Sequence, residues 1–181
     1  MMLLIISRQE FDSIDDTLLW SACFEPIIKV YKVRMSEQTH LSDHEIKSQF
    51  YEELTDGQRA LFMFLAFYNH AKKSLEEFYW WNAYYLAQPK IWSEIAAGLR
   101  YFNADSMLQI LKEMEKILTA RNYPRSLEKF NVTHEDLNHD SELLKLISPL
   151  NSMFNDNSLT TLKIIGKFIR NNPNEFMQFE N

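Results

Sequence analysis

The chain has 181 residues, 46% of them hydrophobic and 14% aromatic, a composition that excludes a disordered segment and allows one domain with a substantial core. Its net charge of −6 argues against a general nucleic-acid binder, and the acid is uneven: residues 1–89 carry 13 acids against 8 bases, residues 90–181 carry 12 against 11. Only three glycines occur, Gly57, Gly98 and Gly166, well separated, so the glycine-rich loops that cradle phosphates in P-loop and dinucleotide folds are absent.

Scarce glycine with abundant Leu, Lys, Glu and Met is a helical composition, and the chain-order reading is all-α. Residues 2–6 run apolar without alternation and predict a short edge strand or an extended arm. MMLLII has no basic region before it and no small-residue cleavage site after it, so no signal peptide is expected. Ser7-Arg8-Gln9-Glu10 has the form of a capping box and opens a helix to about Ile14. Asp15 or Asp16 caps the next helix, with Leu18, Leu19, Ala22 and Cys23 at helical spacing. Pro26 is expected to end or kink it, with Ile27 to Val33 continuing as helix or, from their β-branched content, as a strand. The polar run 35–42 predicts a loop.

Ser42-Asp43-His44-Glu45 is a second capping box, for a helix to about Leu54, and Thr55-Asp56-Gly57-Gln58 is a third start. From Gln58 no strong breaker occurs before Pro89, which fits one long helix or two with a bend near Lys72–Ser74. Pro89 suits the first turn of a helix to about Phe102. Asn103 or Asp105 then caps a helix over Ser106–Arg121, burying Met107, Leu108, Ile110, Leu111, Met114, Ile117 and Leu118. Residues 122–133 predict a surface connection, followed by helices at about 134–147 and 158–171 separated by Pro149–Asn157. The tail NNPNEFMQFEN starts with a helix stop and either frays or docks through Phe176 and Phe179. The expected fold is a single-domain all-α bundle of about seven or eight helices, core 7–121 and C-terminal helical extension 134–171.

Catalytic grammar is sparse. Glu37, His40 and His44 have helical i, i+3, i+4 relations, and Glu-x-x-His is half of a ferritin-type di-iron ligand set. No second copy exists, however, and a helix start at Leu41-Ser42 would leave Glu37 and His40 outside the helix. His134 and His139 suit a solvated first turn, and His70, inside the most apolar helix, suits a core or rim position. No Gly-x-Ser-x-Gly elbow occurs, and Cys23, among Trp20, Ala22 and Phe24, reads as a buried inert thiol. As the single cysteine it cannot form an internal disulfide. No stretch approaches the roughly 18 apolar residues of a membrane span. A cytoplasmic location is expected.

The aromatics carry the largest signal. Residues 60–68 are apolar all round, which predicts a buried central helix, and Phe78, Tyr79, Trp80, Trp81, Tyr84 and Tyr85 follow. Tyr and Trp tips need hydrogen bonds or water, so the segment is read first as a mostly buried helix with its tips satisfied inside the bundle, and otherwise as emerging at one end into a partner surface or lining a ligand cavity. Base stacking would call for interleaved Arg and Lys, and only Lys72 and Lys73 are near. Glu76 and Glu77 point about 100° apart on a helix. Glu77 is expected to be partly buried, with Lys73 as its ionic partner.

The segment YEELTDGQRALFMFLAFYNHAKKSLEEFYWWNAYYLAQP, with IAAGLRYFNADSMLQILKEM after it, resembles the bacterial DNA-mimic-protein family over about residues 5–120. The matching positions are Leu54, Gly57, Gln58, Arg59, Phe62, Phe78 and Gly98, and the opening ISRQEFDSID is also similar. The family's Asn-Asn-Gly-Gly-Phe-like turn is replaced here by AKKSLEEF. The resemblance implies an all-α fold and an acidic surface that imitates a phosphate backbone toward a DNA-binding protein.

The leading expectation is a non-catalytic cytoplasmic interaction or regulatory protein. Its expected partner-binding residues are Glu52, Glu53, Asp56, Glu76, Glu77, Trp80, Trp81 and Tyr84, with Asp12, Asp15, Asp16 and Tyr85 as further contributors. A protein partner is expected, with no direct nucleic acid and no membrane, and a homo-oligomer is compatible. No catalytic residue, metal ligand or cofactor is expected. The alternative is a metal-dependent or small-molecule-binding helical enzyme using His40, His44, His70 and a carboxylate.

Overall fold

The computed structural model of the chain describes residues 4–38 and 40–180, apart from the side chains of Asp43 and His44. It is an all-α bundle, 78% helical, with nine α-helices among the described residues and one two-stranded sheet. No described helix is long and apolar enough to cross a membrane. The chain forms two compact units, one from the residues up to Phe62 together with those from Leu162 onward, the other from Met63–Thr161.

The first unit opens with β1 (Leu4–Ile6), so the expected extended segment is a strand; Met2 and Leu3 lie outside the described residues. Helix α1 (Arg8–Ser13) starts at the Ser7–Glu10 capping box as expected. Asp15 caps α2 (Asp16–Glu37), its Oδ1 accepting from the Thr17 amide at 2.8 Å. Helix α2 continues through Pro26, with Ile27 to Val33 helical, and it extends over Met35, Ser36 and Glu37, which corrects the loop expected there. A proline inside a helix costs about 3 kcal/mol. Burial of Leu19, Cys23, Phe24 and Ile27 along one face offsets that, at about 1.5–3 kcal/mol for each large side chain.

Helix α3 (Asp43–Glu53) begins at the Ser42–Glu45 capping box. The next helix, α4 (Asp56–Ala71), is capped reciprocally: Gln58 N–H donates to Thr55 Oγ1 and Thr55 N–H to Gln58 Oε1, both at 3.1 Å. Arg34 forks onto Glu53 with two 2.7 Å hydrogen bonds, tying α2 to α3. Beside that pair the Tyr31, Phe50 and Phe62 rings pack at 5.2–5.4 Å.

The tail docks. Strand β2 (Met177–Phe179) pairs in parallel with β1, Leu4 opposite Met177 and Ile6 opposite Phe179. Phe176 is buried against Gly57, where a Cβ would stand 2.7 Å from the ring.

In the second unit α4 ends at Ala71, and α5 (Leu75–Leu86) starts afresh from Ser74, whose hydroxyl accepts from the Glu77 amide at 3.2 Å. The chain therefore takes the two-helix form, because Ser74 caps better than it continues. Pro89 occupies the first position of α6 (Pro89–Tyr101) as expected. Helix α7 (Asp105–Ala120) lacks the expected side-chain cap. Asn103 instead terminates α6 at φ 56°, and the Ala104 amide reaches back to the Leu99 carbonyl at 2.9 Å, a Schellman closure. Of the expected buried face on α7, Ile117 alone is only half-buried.

The connection 122–133 contains a 3-10 turn at Leu127–Lys129, and a short α8 (Asp136–His139) follows. The two helices expected beyond it are one, α9 (Ser141–Asn171), running through Pro149. Pro149 and Lys145 are both exposed, so the carbonyl freed by the missing donor stands on the solvent side. The stripe Leu143, Ile147, Leu150, Phe154, Ser158, Thr161, Leu162, Ile165 and Ile169 stays buried throughout. Continuous burial of that stripe, not local propensity, holds the helix together.

Candidate functional site

Helix α5 turns Phe78, Tyr79, Asn82, Ala83 and Leu86 inward. That leaves Trp80, Trp81, Tyr84 and Tyr85 half-buried on its flank, at i, i+1, i+4 and i+5. Tyr79 is fully buried, and its hydroxyl meets the Tyr123 hydroxyl at 2.8 Å and Asp136 Oδ2 at 3.0 Å. Burial pushes the Tyr79 phenol far up, so it is always a neutral donor. Burial also works to raise the Asp136 carboxyl, but hydrogen bonds from Thr133 and Tyr79 outweigh it and hold that carboxyl below its ordinary value. Replacing Tyr79 by Phe is expected to destabilise the protein by about 1–2 kcal/mol, since Asp136 and Tyr123 lose a buried partner. Urea unfolding measures this; an unchanged midpoint would contradict the network.

Trp80 lies almost parallel to two rings, Tyr84 at 4.9 Å and His134 at 5.1 Å, with interplanar angles of 10° and 8°. Its indole N–H donates to the Val132 carbonyl at 3.0 Å, and Phe130 meets it edge-on at 5.6 Å. Trp81 stands perpendicular to Trp80 at 4.9 Å and stacks on His70 at 3.8 Å. Its indole donates to Glu77 Oε2 at 2.7 Å, while the other oxygen of Glu77 is 3.6 Å from His134 Nε2. Glu77 is thus partly buried as expected, but its partners are Trp81 and His134 rather than Lys73. His134 is exposed on a turn as expected, and its ring also stacks on this aromatic face. Glu76 sits beside it, its carboxyl held below the ordinary value by the Ser74 hydroxyl, with His134 adding attraction.

His70 is the rim histidine of this face. Its Nδ1 is buried without a hydrogen-bond partner among the described residues. Burial lowers its basicity, Lys73 lowers it further, and Glu77 opposes both. A histidine whose folded value is depressed stabilises the fold fully above its unfolded value, 6.5, and that contribution is lost as pH falls from there. Melting temperature is therefore expected to drop between about pH 7.5 and 5.5, and His70→Gln to flatten that step. A variant whose pH profile parallels the wild type would refute the assignment.

The acidic candidates are dispersed. Glu52, Glu53, Asp56, Asp12, Asp15 and Asp16 belong to the first unit, Glu76 and Glu77 to the second. Several acids are already engaged: Glu53 by Arg34, Asp16 by Arg170 at 2.9 Å, Asp12 by Arg8 at 3.2 Å, and Asp15 by its capping role. Arg34's hydrogen bonds hold the Glu53 carboxyl below its ordinary value. Asp56 is exposed with Arg59 at 3.5 Å, and Glu52 is exposed and accepts from the Ser48 hydroxyl at 3.5 Å.

Among the described residues no three His, Cys, Asp or Glu side chains converge. Glu37, expected outside a helix, is the last residue of α2; His40 is exposed in the following turn, and the His44 side chain lies outside the described residues. His40 and His70 belong to different units. Cys23 is buried as expected, and burial pushes its thiol up to about 12, which leaves it unreactive. It adjoins an apolar cleft of about 330 Å³ in the first unit, bordered by Leu4, Ile5, Pro26, Ile27 and Val30.

No protein-family model, curated protein or solved structure matches this chain.

Proposed function

We propose that the chain is a non-catalytic interaction or regulatory protein of the cytoplasm that binds another protein through the flank of α5. The observation that carries this reading is the half-buried stack of Trp80 on Tyr84 and His134, extended by Trp81 and Tyr85. Rigid Tyr and Trp rings are the side chains that give interfaces most of their energy, and here the Trp80 and Trp81 indoles already have partners. Glu76 and Glu77 border the rings, and the chain as a whole carries −6, so the favoured partner presents Arg or Lys side chains to the aromatic faces. DNA-mimic binding, which rests on the family resemblance, would draw on Glu52, Asp56 and Glu76, the acids least committed to internal partners.

The test is affinity capture from lysate with the wild type beside Tyr84→Ser, Glu76→Lys and Glu52→Lys, each variant checked for an unchanged melting temperature. A specific protein retained by the wild type and lost with Tyr84→Ser and Glu76→Lys is the expected result. Loss with Glu52→Lys alone would move the interface to the acidic, mimic-like surface. Retention by all variants, or no captured protein, would overturn the proposal. Sedimentation of the purified chain reads self-association separately.

A further inference from the structure

In the second unit α6 and α7 border an open cleft of about 210 Å³. Pro89, Trp92, Ala96, Leu108 and Leu111 form its apolar wall. Its polar lining is cationic, which is unusual in a chain of net charge −6: Arg100, Lys112 and Arg125 stand against one acid, Glu115. That acid is already satisfied. Glu115 Oε2 accepts from the Trp92 indole at 3.1 Å, and its Oε1 accepts from Arg125 at 3.2 Å. Arg100 and Lys112 are both exposed, and their side chains make no hydrogen bond or ion pair among the described residues. Two uncommitted cations thus border a small cleft with an apolar wall on one side.

We propose that this cleft binds a small organic carboxylate with a flat or branched apolar body, the carboxylate between Arg100 and Lys112 and the body against Trp92, Leu108 and Leu111. Arginine's planar fork matches a carboxylate, and lysine adds a compact charge. The apolar wall gives a bare phosphate nothing to bury. The volume is below the roughly 300–1,000 Å³ of drug-sized pockets, which favours a small occupant. The site rests on residues separate from the α5 face and is independent of the function proposed above.

Benzoate is the probe, benzamide its uncharged isostere and inorganic phosphate the control lacking an apolar body, all at constant ionic strength. The indole N–H resonance of Trp92, distinguished from those of Trp20, Trp80 and Trp81 by Trp92→Phe, reports occupancy by nuclear magnetic resonance. Benzoate should shift that resonance saturably with Kd of about 1 mM or tighter. Benzamide, phosphate and the Arg100→Gln/Lys112→Gln double variant should each bind at least about tenfold more weakly, with the variant's melting temperature unchanged. No saturable shift, equal binding of benzamide or phosphate, or undiminished binding by the double variant would each overturn the proposal.

Discussion

Replacing Gly166 with alanine is expected to destabilise the protein by about 3 kcal/mol, the reverse of what the substitution does in most helices. Gly166 lies in the interior of α9, where alanine ordinarily gains about 1 kcal/mol. Here an added Cβ would collide with the backbone carbonyl oxygen of Asp16 and stand 2.8 Å from its carbonyl carbon. A side chain in the way can rotate, but a backbone carbonyl at the start of α2 cannot. Relief requires α9 to move away from that helix start, opening the buried packing around it. Urea unfolding of Gly166→Ala settles the sign: a midpoint at or above the wild type would mean that α9 does not approach Asp16 this closely.

Substituting Arg170 with Met is expected to cost about 3–4 kcal/mol, again read by urea unfolding. The Arg170 guanidinium donates to the Phe11 carbonyl at 2.7 Å, to the Ile14 carbonyl, and to Asp16 Oδ1 at 2.9 Å, and it lies 4.6 Å from the centre of the buried Phe11 ring. Met keeps much of the apolar stem but removes the charged donor from both carbonyls and the carboxylate, and the Phe11 carbonyl keeps the Ile14 amide at 3.3 Å. Arg170→Lys should recover only part of the loss, because one ammonium cannot serve three acceptors spread over a planar fork. Full recovery by lysine would show that charge alone matters. Gly166 and Arg170 both act on Asp16, so their costs should not add in the double variant.

The helix starts were legible because their physics is local. Ser7 with Glu10, Ser42 with Glu45, and Thr55 with Gln58 close their hydrogen bonds within three residues, so four letters suffice to specify each start. Pro89 at a first turn is equally local. The break expected at Pro149 is absent for the opposite reason. The proline removes one backbone donor, which is visible in sequence, whereas the burial that outweighs it comes from neighbours that sequence does not place. Asn103 was read as opening a helix because Asn serves both helix ends, and only the left-handed φ of 56° shows which end it serves.

The candidate site divides along the same line. Trp80, Trp81, Tyr84 and Glu77 share a flank because helical geometry alone puts residues three and four apart together. Phe130, Val132 and His134 come to Trp80 from a connection about 50 residues further on, and nothing in their own stretch announces it. The pairing of Glu53 with Arg34 and of Asp16 with Arg170 likewise took acids out of an apparently free acidic surface.

The sequence by itself determined the all-α class, the helix starts that close a local capping box and the concentration of aromatic side chains on α5, because composition, caps and periodicity act over one or two turns. Only the tertiary structure decided which prolines a helix survives, which acids remain uncommitted, and that β1 and β2 pair across nearly the whole chain. Those outcomes depend on burial and on partners brought together by folding, and such partners have no fixed spacing in sequence.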